Sequence, residues 1–161
     1  MYKRQVYNRA NELVDEACDE VRRISHNLMP GALRLEGLKT AVEHLGQEMS
    51  VAHSFTVRVE TIGMENRMEE SKEIFVYRII QEALNNIIKH ADATDVLVQL
   101  SETESEYHFI VEDDGKGFDP LQIQSGLGLK SIQSRVDFLK GNLDIDTKEG
   151  VGTTLSWHIP K

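Results

Sequence analysis

Glu82, Asn86 and Lys89 stand four and three residues apart in the stretch EIFVYRIIQEALNNIIKHA, residues 73–91. On a helix that spacing aligns an acid, an amide and a cation along one stripe. The amide oxygen and the carboxylate suit a hard cation or its waters, and the ammonium suits phosphate, so the stripe could serve an anionic ligand with its metal. Arg78, Gln81, Asn85 and His90 gather on the same side, and a merely solvated helix face is the plainer reading of the set. Further along, Asp113-Asp114-Gly115-Lys116-Gly117 follows a strand-like run. A carboxylate fixed at a strand end can accept from an amino group, one way to recognise adenine. The two glycines let backbone approach a ligand closely, although Asp-Gly also makes ordinary turns. Gly126-Leu127-Gly128-Leu129 opens a helical pattern whose free amides and positive end favour phosphate, as any glycine-led helix start does. Lys130 stands in that first turn, where acids are usual. Gly150-Val151-Gly152-Thr153-Thr154 puts a hydroxyl where a strand begins, or is a β-turn before a β-branched residue.

The elements that must hold these residues follow from periodicity. Val76, Ile80, Ala83, Leu84, Ile87, Ile88 and Ala91 recur at three- and four-residue steps and predict a central helix with its other face on a core. Residues 5–29 read as one long helix with a seam of Val6, Ala10, Leu13, Ala17, Val21, Ile24 and Leu28, ended by Pro30-Gly31. So narrow a stripe predicts packing on another helix or another copy. A second amphipathic helix follows, with Leu35, Leu38, Ala41, Val42, Leu45 and Met49 as its inner face. Ser54 to Ile62 alternates as a strand, and Glu65 to Ser71 is a polar connector. Asp95 to Leu100 and Tyr107 to Glu112 predict a hairpin, Leu129 to Leu139 a helix, and Leu143 to Asp146 with Thr153 to Ile159 a last hairpin. Helices on one face of a mixed sheet suit this order.

The 161 residues fit one domain with a small appendage, and 40% hydrophobic with 28% charged residues describes a globular chain. A net charge of −9 argues against a broad nucleic-acid surface. Cys18 is the single cysteine, so there is no disulfide framework and a reducing compartment is expected. No apolar run approaches transmembrane length and no signal-peptide pattern opens the chain, which is expected to be cytoplasmic. His44, His53, His108 and His158 lack metal-ligand spacing.

Taken in order, QEALNNIIKHA, DDGKGFD, GLGLKSI and GVGTT strongly resemble the nucleotide-binding boxes of the histidine-kinase ATPase family, which is grouped with gyrase, Hsp90 and MutL. The EVRRISHNLMP lead-in and the QEALNN form resemble the sensor kinases that pair with LuxR/NarL-type response regulators, and the resemblance covers about residues 5–160. It implies ATP and Mg2+ as cofactors. Asn86, rather than Asn85, is implied as the magnesium ligand, and Glu82 as the residue that orders the metal's water or acts as a general base. Lys89 and His90 are implied to face phosphate or ribose, and Asp113 to read adenine together with Thr153, with Gly115 and Gly117 giving close approach. Gly126, Leu127, Gly128, Leu129 and Lys130 match the second glycine box beside the phosphates, at the end of a short lid from Phe118 to Ser125.

The fold so implied is α/β (α+β), a two-layer sandwich of a mixed sheet with helices on one face, preceded by a long N-terminal helix. Residues 1–30 match the second helix of a dimerisation hairpin and 31–161 the ATP-binding catalytic domain. The implied reaction moves the γ-phosphoryl group to a histidine nitrogen, by positioning and charge neutralisation. The implied partners are a LuxR/NarL-type response regulator and a second copy in the full-length protein. No nucleic acid is expected, and a membrane only through regions further upstream. His26 resembles an acceptor superficially. However, neutral Asn27 follows it where an acid usually takes the imidazole proton, and Pro30 falls one position early. The expectation is a structural His26 and an acceptor histidine outside this chain. An anti-sigma-factor-like serine kinase is the alternative, and the heptad seam argues against it.

Overall fold

Short runs of alternating apolar and polar residues build the sheet, and the helices between them cover one of its faces. The computed structural model describes residues 31–53, 55–119 and 127–161. Helix α1 (Gly31–Glu36) and α2 (Leu38–Ala52) lead to strand β1 (Thr56–Ile62), then to α3 (Glu70–His90). Strands β2 (Asp95–Glu102) and β3 (Glu106–Asp113) follow, then α4 (Leu127–Phe138) and strands β4 (Asn142–Lys148) and β5 (Gly152–Pro160). The expected helix over residues 5–29, with Cys18 and His26, lies outside the described residues, as does Ser54.

The five strands lie in the order β1-β2-β3-β5-β4. β1 pairs with β2 in parallel and every other pairing is antiparallel, so the sheet is mixed as expected. The parallel pair needs a crossover, and α3 is that crossover. Val96, Val98, Leu100, Tyr107, Phe109, Val111, Leu155, Trp157 and Ile159 alternate onto the inner face and are buried. α2 packs on β1, α3 on β3 and α4 on β4, side by side across that face. Val76, Ile80, Ala83, Leu84 and Ile87 of α3 are buried at the steps the sequence predicts.

Two departures from the expected layout share one cause. The single helix expected over residues 35–49 is broken at Gly37, whose φ of 89° disfavours any residue with a β-carbon. The break resets the helical phase, so Leu33 enters the core at 1% exposure while Leu35 points outward at 73%. Glu73 fastens the junction. It is buried at 1% exposure, accepts from Arg67 Nε at 3.0 Å, and takes the Leu38 N–H at 3.4 Å. Arg67 Nη2 also donates to the Leu33 carbonyl at 2.8 Å. The stretch expected as a polar connector therefore supplies this clamp, and it buries Met68 as well.

Candidate functional site

The polar stripe of α3 is not the solvated face its composition suggests. Arg78, Gln81, Glu82, Asn85 and Asn86 are half-buried, and only Lys89 and His90, in the last turn, are exposed. The start of α4 covers the stripe. Gly128 lies so close that a β-carbon there would stand 2.7 Å from both Asn86 Oδ1 and Glu82 Oε1. Between these helices the Asn86 Nδ2 atom is buried without a hydrogen-bond partner among the described residues. Leaving a buried amide unpaired costs about 1–3 kcal/mol, so this end of the site is built for something that pairs with it. Terminal amides can turn either end toward a ligand.

Next to the stripe opens a cavity of about 750 Å3, enclosed by α3, the ends of β3 and β5, and the start of α4. Of the residues singled out in the sequence, Glu82, Asn86, Lys89, His90, Asp113, Gly117, Gly128, Leu129 and Thr153 line it. Ala83, Ile87, Val111, Leu155 and Phe118 give it an apolar floor, and Lys116 joins the wall. The volume and the mix of apolar floor with a few polar groups suit a small-molecule ligand.

Asp113 lines the cavity from the end of β3. It is the last residue of β3, 7% exposed, and paired in register with Thr153 of β5. The Gly115 N–H donates to its Oδ1 at 2.9 Å. Burial pushes the Asp113 carboxyl above the ordinary aspartate range, and backbone N–H groups of Gly115 and Thr153 pull against that shift. The result is a desolvated acceptor facing an apolar floor.

The remaining sequence-predicted residues lie off the cavity wall. Gly115 faces the end of α3, where a β-carbon would stand 2.4 Å from the Ala91 carbonyl oxygen. Its small size serves the backbone packing there. Lys130 is exposed on α4 and not part of the wall. Leu127 is the first residue of α4. Gly126 and the rest of the expected lid beyond Asp119 lie outside the described residues.

Other residues matter that the sequence did not single out. Asp114 accepts from the Thr94 N–H at 2.7 Å, the Thr94 hydroxyl at 2.6 Å and the Asp95 N–H at 2.9 Å, which hold its carboxyl below the usual range. The Lys116 N–H donates to the Ala91 carbonyl at 2.7 Å, and the Gly150 N–H to the Lys116 carbonyl at 2.7 Å. Lys116 Nζ donates to Asp92 at 2.8 Å. The glycine-rich loop is thus laced to α3 on one side and to the β4–β5 turn on the other. Thr147, buried in β4, accepts the Phe118 N–H at 3.1 Å. Its only sequence signal, a β-branched residue in a strand, is common to most strands.

Among the described residues no group of three or more His, Cys, Asp or Glu side chains could hold a metal ion. A cation in this cavity would rest on the Asn86 amide and Glu82, with the other oxygens coming from water and from a ligand it bridges. The unpartnered Asn86 atom is the donor Nδ2, which suits a phosphate oxygen, and the amide turned over would present Oδ1 to the cation. His53 stacks on Phe55, and His108 faces His158 across β3 and β5, all away from the cavity. No helix among the described residues is long and apolar enough to cross a membrane.

Residues 71–161 match the family of histidine kinase-, DNA gyrase B- and HSP90-like ATPases. Over 158 residues the chain is 37% identical to the signal transduction histidine-protein kinase/phosphatase DegS of Brevibacillus brevis, covering 92% of this chain and 39% of that protein. It is 34% identical over 145 residues to the sensor histidine kinase ComP of Bacillus subtilis, covering 88% of this chain and 19% of ComP. The sensor histidine kinase MctS of Rhizobium johnstonii is 33% identical over 158 residues, with 96% of this chain and 34% of MctS covered. The chain therefore spans less than half the length of these curated relatives. The histidine kinase domain of the Erythrobacter litoralis EL346 blue-light activated histidine kinase shares the fold, at a TM-score of 0.61 and 20% identity over 76% of this chain and 64% of that one.

Proposed function

Since this chain belongs to the histidine kinase-, DNA gyrase B- and HSP90-like ATPases, we propose that its cavity binds ATP as the catalytic unit of a sensor histidine kinase. The observation that carries the reading is one cavity lined by two chemically different groups. They are the desolvated carboxylate of Asp113, beside Thr153, and the amide of Asn86, beside Gly128, whose Nδ2 has no partner among the described residues. The first suits the amino edge of adenine and the second suits phosphates with their cation. The apolar floor of Val111, Leu155 and Ile87 takes the flat base between them.

Each residue then has a task. Asp113 accepts from the adenine amino group, and Thr153 holds the same edge. Lys89 and His90, exposed at the end of α3, meet phosphate or ribose. Gly117 keeps the loop after Asp113 close to the base, and Gly128 and Leu129 bring the first amides of α4 toward the phosphates. Asn86 would hold a magnesium ion, which would supply charge neutralisation at the phosphates. Glu82, one turn earlier, would order the water around it or accept the imidazole proton. In the transfer a histidine nitrogen forms the N–P bond as the bond from the γ-phosphorus to the bridging oxygen breaks and ADP leaves. Positioning does most of the work.

The same proposal extends to the whole protein. Residues 1–30 form part of a dimerisation hairpin and 31–161 the catalytic domain. The acceptor is a histidine other than His26, and the phosphoryl group passes on to a LuxR/NarL-type response regulator in the cytoplasm. The first test is thermal unfolding with and without Mg-ADP. Nucleotide at about a hundredfold over its dissociation constant stabilises the native state by roughly 2.7 kcal/mol. For a chain of this size that raises Tm by roughly 5–10 °C. No rise in Tm with saturating Mg-ADP would sink the nucleotide site. Phosphoryl transfer in the full-length protein should give an acid-labile product, and an acid-stable phosphoserine would instead favour a serine kinase.

A further inference from the structure

Asp113, Thr153 and Thr147 form one row across three neighbouring strands, because Thr153 pairs in register with Asp113 on β3 and with Thr147 on β4. Thr147 is 7% exposed and its hydroxyl is crowded with partners. The Phe118 N–H donates to it at 3.1 Å, the Thr153 hydroxyl lies 3.1 Å away, and the Gly152 and Phe118 carbonyls lie at 3.3 and 3.4 Å. A hydroxyl has one proton and two lone pairs. One lone pair of Thr147 is taken by Phe118, so the direction of its single proton decides how Thr153 turns. If the proton goes to a carbonyl, Thr153 donates to Thr147 and shows the cavity only lone pairs. If it goes to Thr153, the Thr153 proton is turned to the cavity.

From this row we infer that Thr147 is a positioning residue that sets which purine the cavity accepts. The inference rests on the adenine-nucleotide reading above. Asp113 as a carboxylate can only accept, and it takes the adenine amino group. The neighbouring ring nitrogen of adenine is itself an acceptor, so Thr153 must donate, directly or through water. Thr147 enforces this by giving its proton to Thr153. Hypoxanthine presents the inverse pattern, a carbonyl beside a ring N–H, and meets an acceptor and a donor in the wrong order. Without the Thr147 hydroxyl, Thr153 turns freely and answers either pattern.

The experiment measures the affinities of Mg-ADP and Mg-IDP by calorimetry for the wild type, Thr147→Val and Thr147→Ser, with circular dichroism as the check on fold. The wild type should prefer ADP, Thr147→Val should narrow that preference by about tenfold, and Thr147→Ser should restore it. A generally loosened strand would weaken both nucleotides alike and leave their ratio unmoved. Because the valine also leaves the Phe118 N–H without an acceptor, Thr147→Ala is a second variant with room for water to serve that N–H. A folded valine or alanine variant that keeps the full ADP preference overturns the inference alone. A wild type that binds neither nucleotide overturns the adenine reading and the inference with it.

Discussion

Asp113 pairs a functional demand with a cost to stability. Burial raises its carboxyl above the ordinary aspartate range, so the native protein takes up a proton there more readily than the unfolded chain does. Its contribution to stability is therefore present below the unfolded value and lost as pH rises through the native one. Two outcomes follow for Asp113→Asn at neutral pH. Without nucleotide, the variant should unfold at a Tm no lower than the wild type, because the desolvated charge is gone. With Mg-ADP, the rise in Tm should shrink sharply, because an amide can turn a donor toward the adenine amino group. Acidification should mimic the change, weakening ADP binding to the wild type at a pH above that of an ordinary aspartate. A variant that keeps full affinity would mean that the adenine end of the cavity is placed wrongly.

The glycines of the last turn separate space from conformation. At Gly152 φ is 126° and a β-carbon would stand 2.0 Å from the Asp113 carbonyl oxygen, so the turn and the end of β3 share one backbone contact. At Gly150 φ is 75° with nothing within 4 Å. Gly150→Ala should lose about 1–2 kcal/mol to backbone strain, whereas Gly152→Ala should lose about 3 kcal/mol or more through strain and clash together. Denaturant unfolding measures both, and equal losses would contradict the contact at Gly152. At this scale the sequence was legible where a residue type implies a place in a site, as with Asp113 and Asn86, which line one cavity. It was silent where an ordinary residue gains its role from a neighbour far along the chain. Asp114 is tied to Thr94, and Thr147 to Phe118.

Among the elements, α3 shows both the reach and the limit of periodicity. The apolar steps from Val76 to Ile87 predicted its buried face. They carried no information on what lies over the opposite stripe, which is α4 with Gly128 against Glu82 and Asn86. The first helix after Pro30 failed for a different reason. Periodicity assumes an unbroken phase, and Gly37 interrupts it, exchanging Leu33 for Leu35 in the core. The clamp that holds this break is the Arg67–Glu73 pair. Glu73→Gln keeps the shape and weakens the bonds to Arg67 and the Leu38 N–H. Arg67 is 44% exposed at its side chain and regains water, so the loss should be about 1–3 kcal/mol rather than that of a stranded buried ion. Circular dichroism melting should show it as a Tm lower by several degrees. An unchanged Tm would mean that the clamp contributes nothing net.

For the molecule as a whole, the two-layer arrangement was legible because strand and helix periods alternate along the chain. The strand order was not, since nothing local states which edges meet. The sheet core from Phe55 to Ile159, with the helices from Leu33 onward, is continuous within the described residues. A fragment of residues 31–161 should accordingly unfold in one cooperative step and keep its rise in Tm with Mg-ADP. Loss of cooperativity in that fragment would place the domain boundary elsewhere.

The order β1-β2-β3-β5-β4 sets the last of these five strands to be synthesised inside the sheet, between two that precede it. On the ribosome, β3 must wait with an unpaired edge, Glu106–Asp113, while α4 and β4 emerge, and only β5 closes the gap. Thr153 and Leu155 arrive on that strand, so the nascent chain has no complete cavity wall until it can also complete its sheet. Competence to hold nucleotide thus waits for β5, and a polypeptide interrupted before β5 would offer a sticky edge to chaperones rather than a half-functional ATPase.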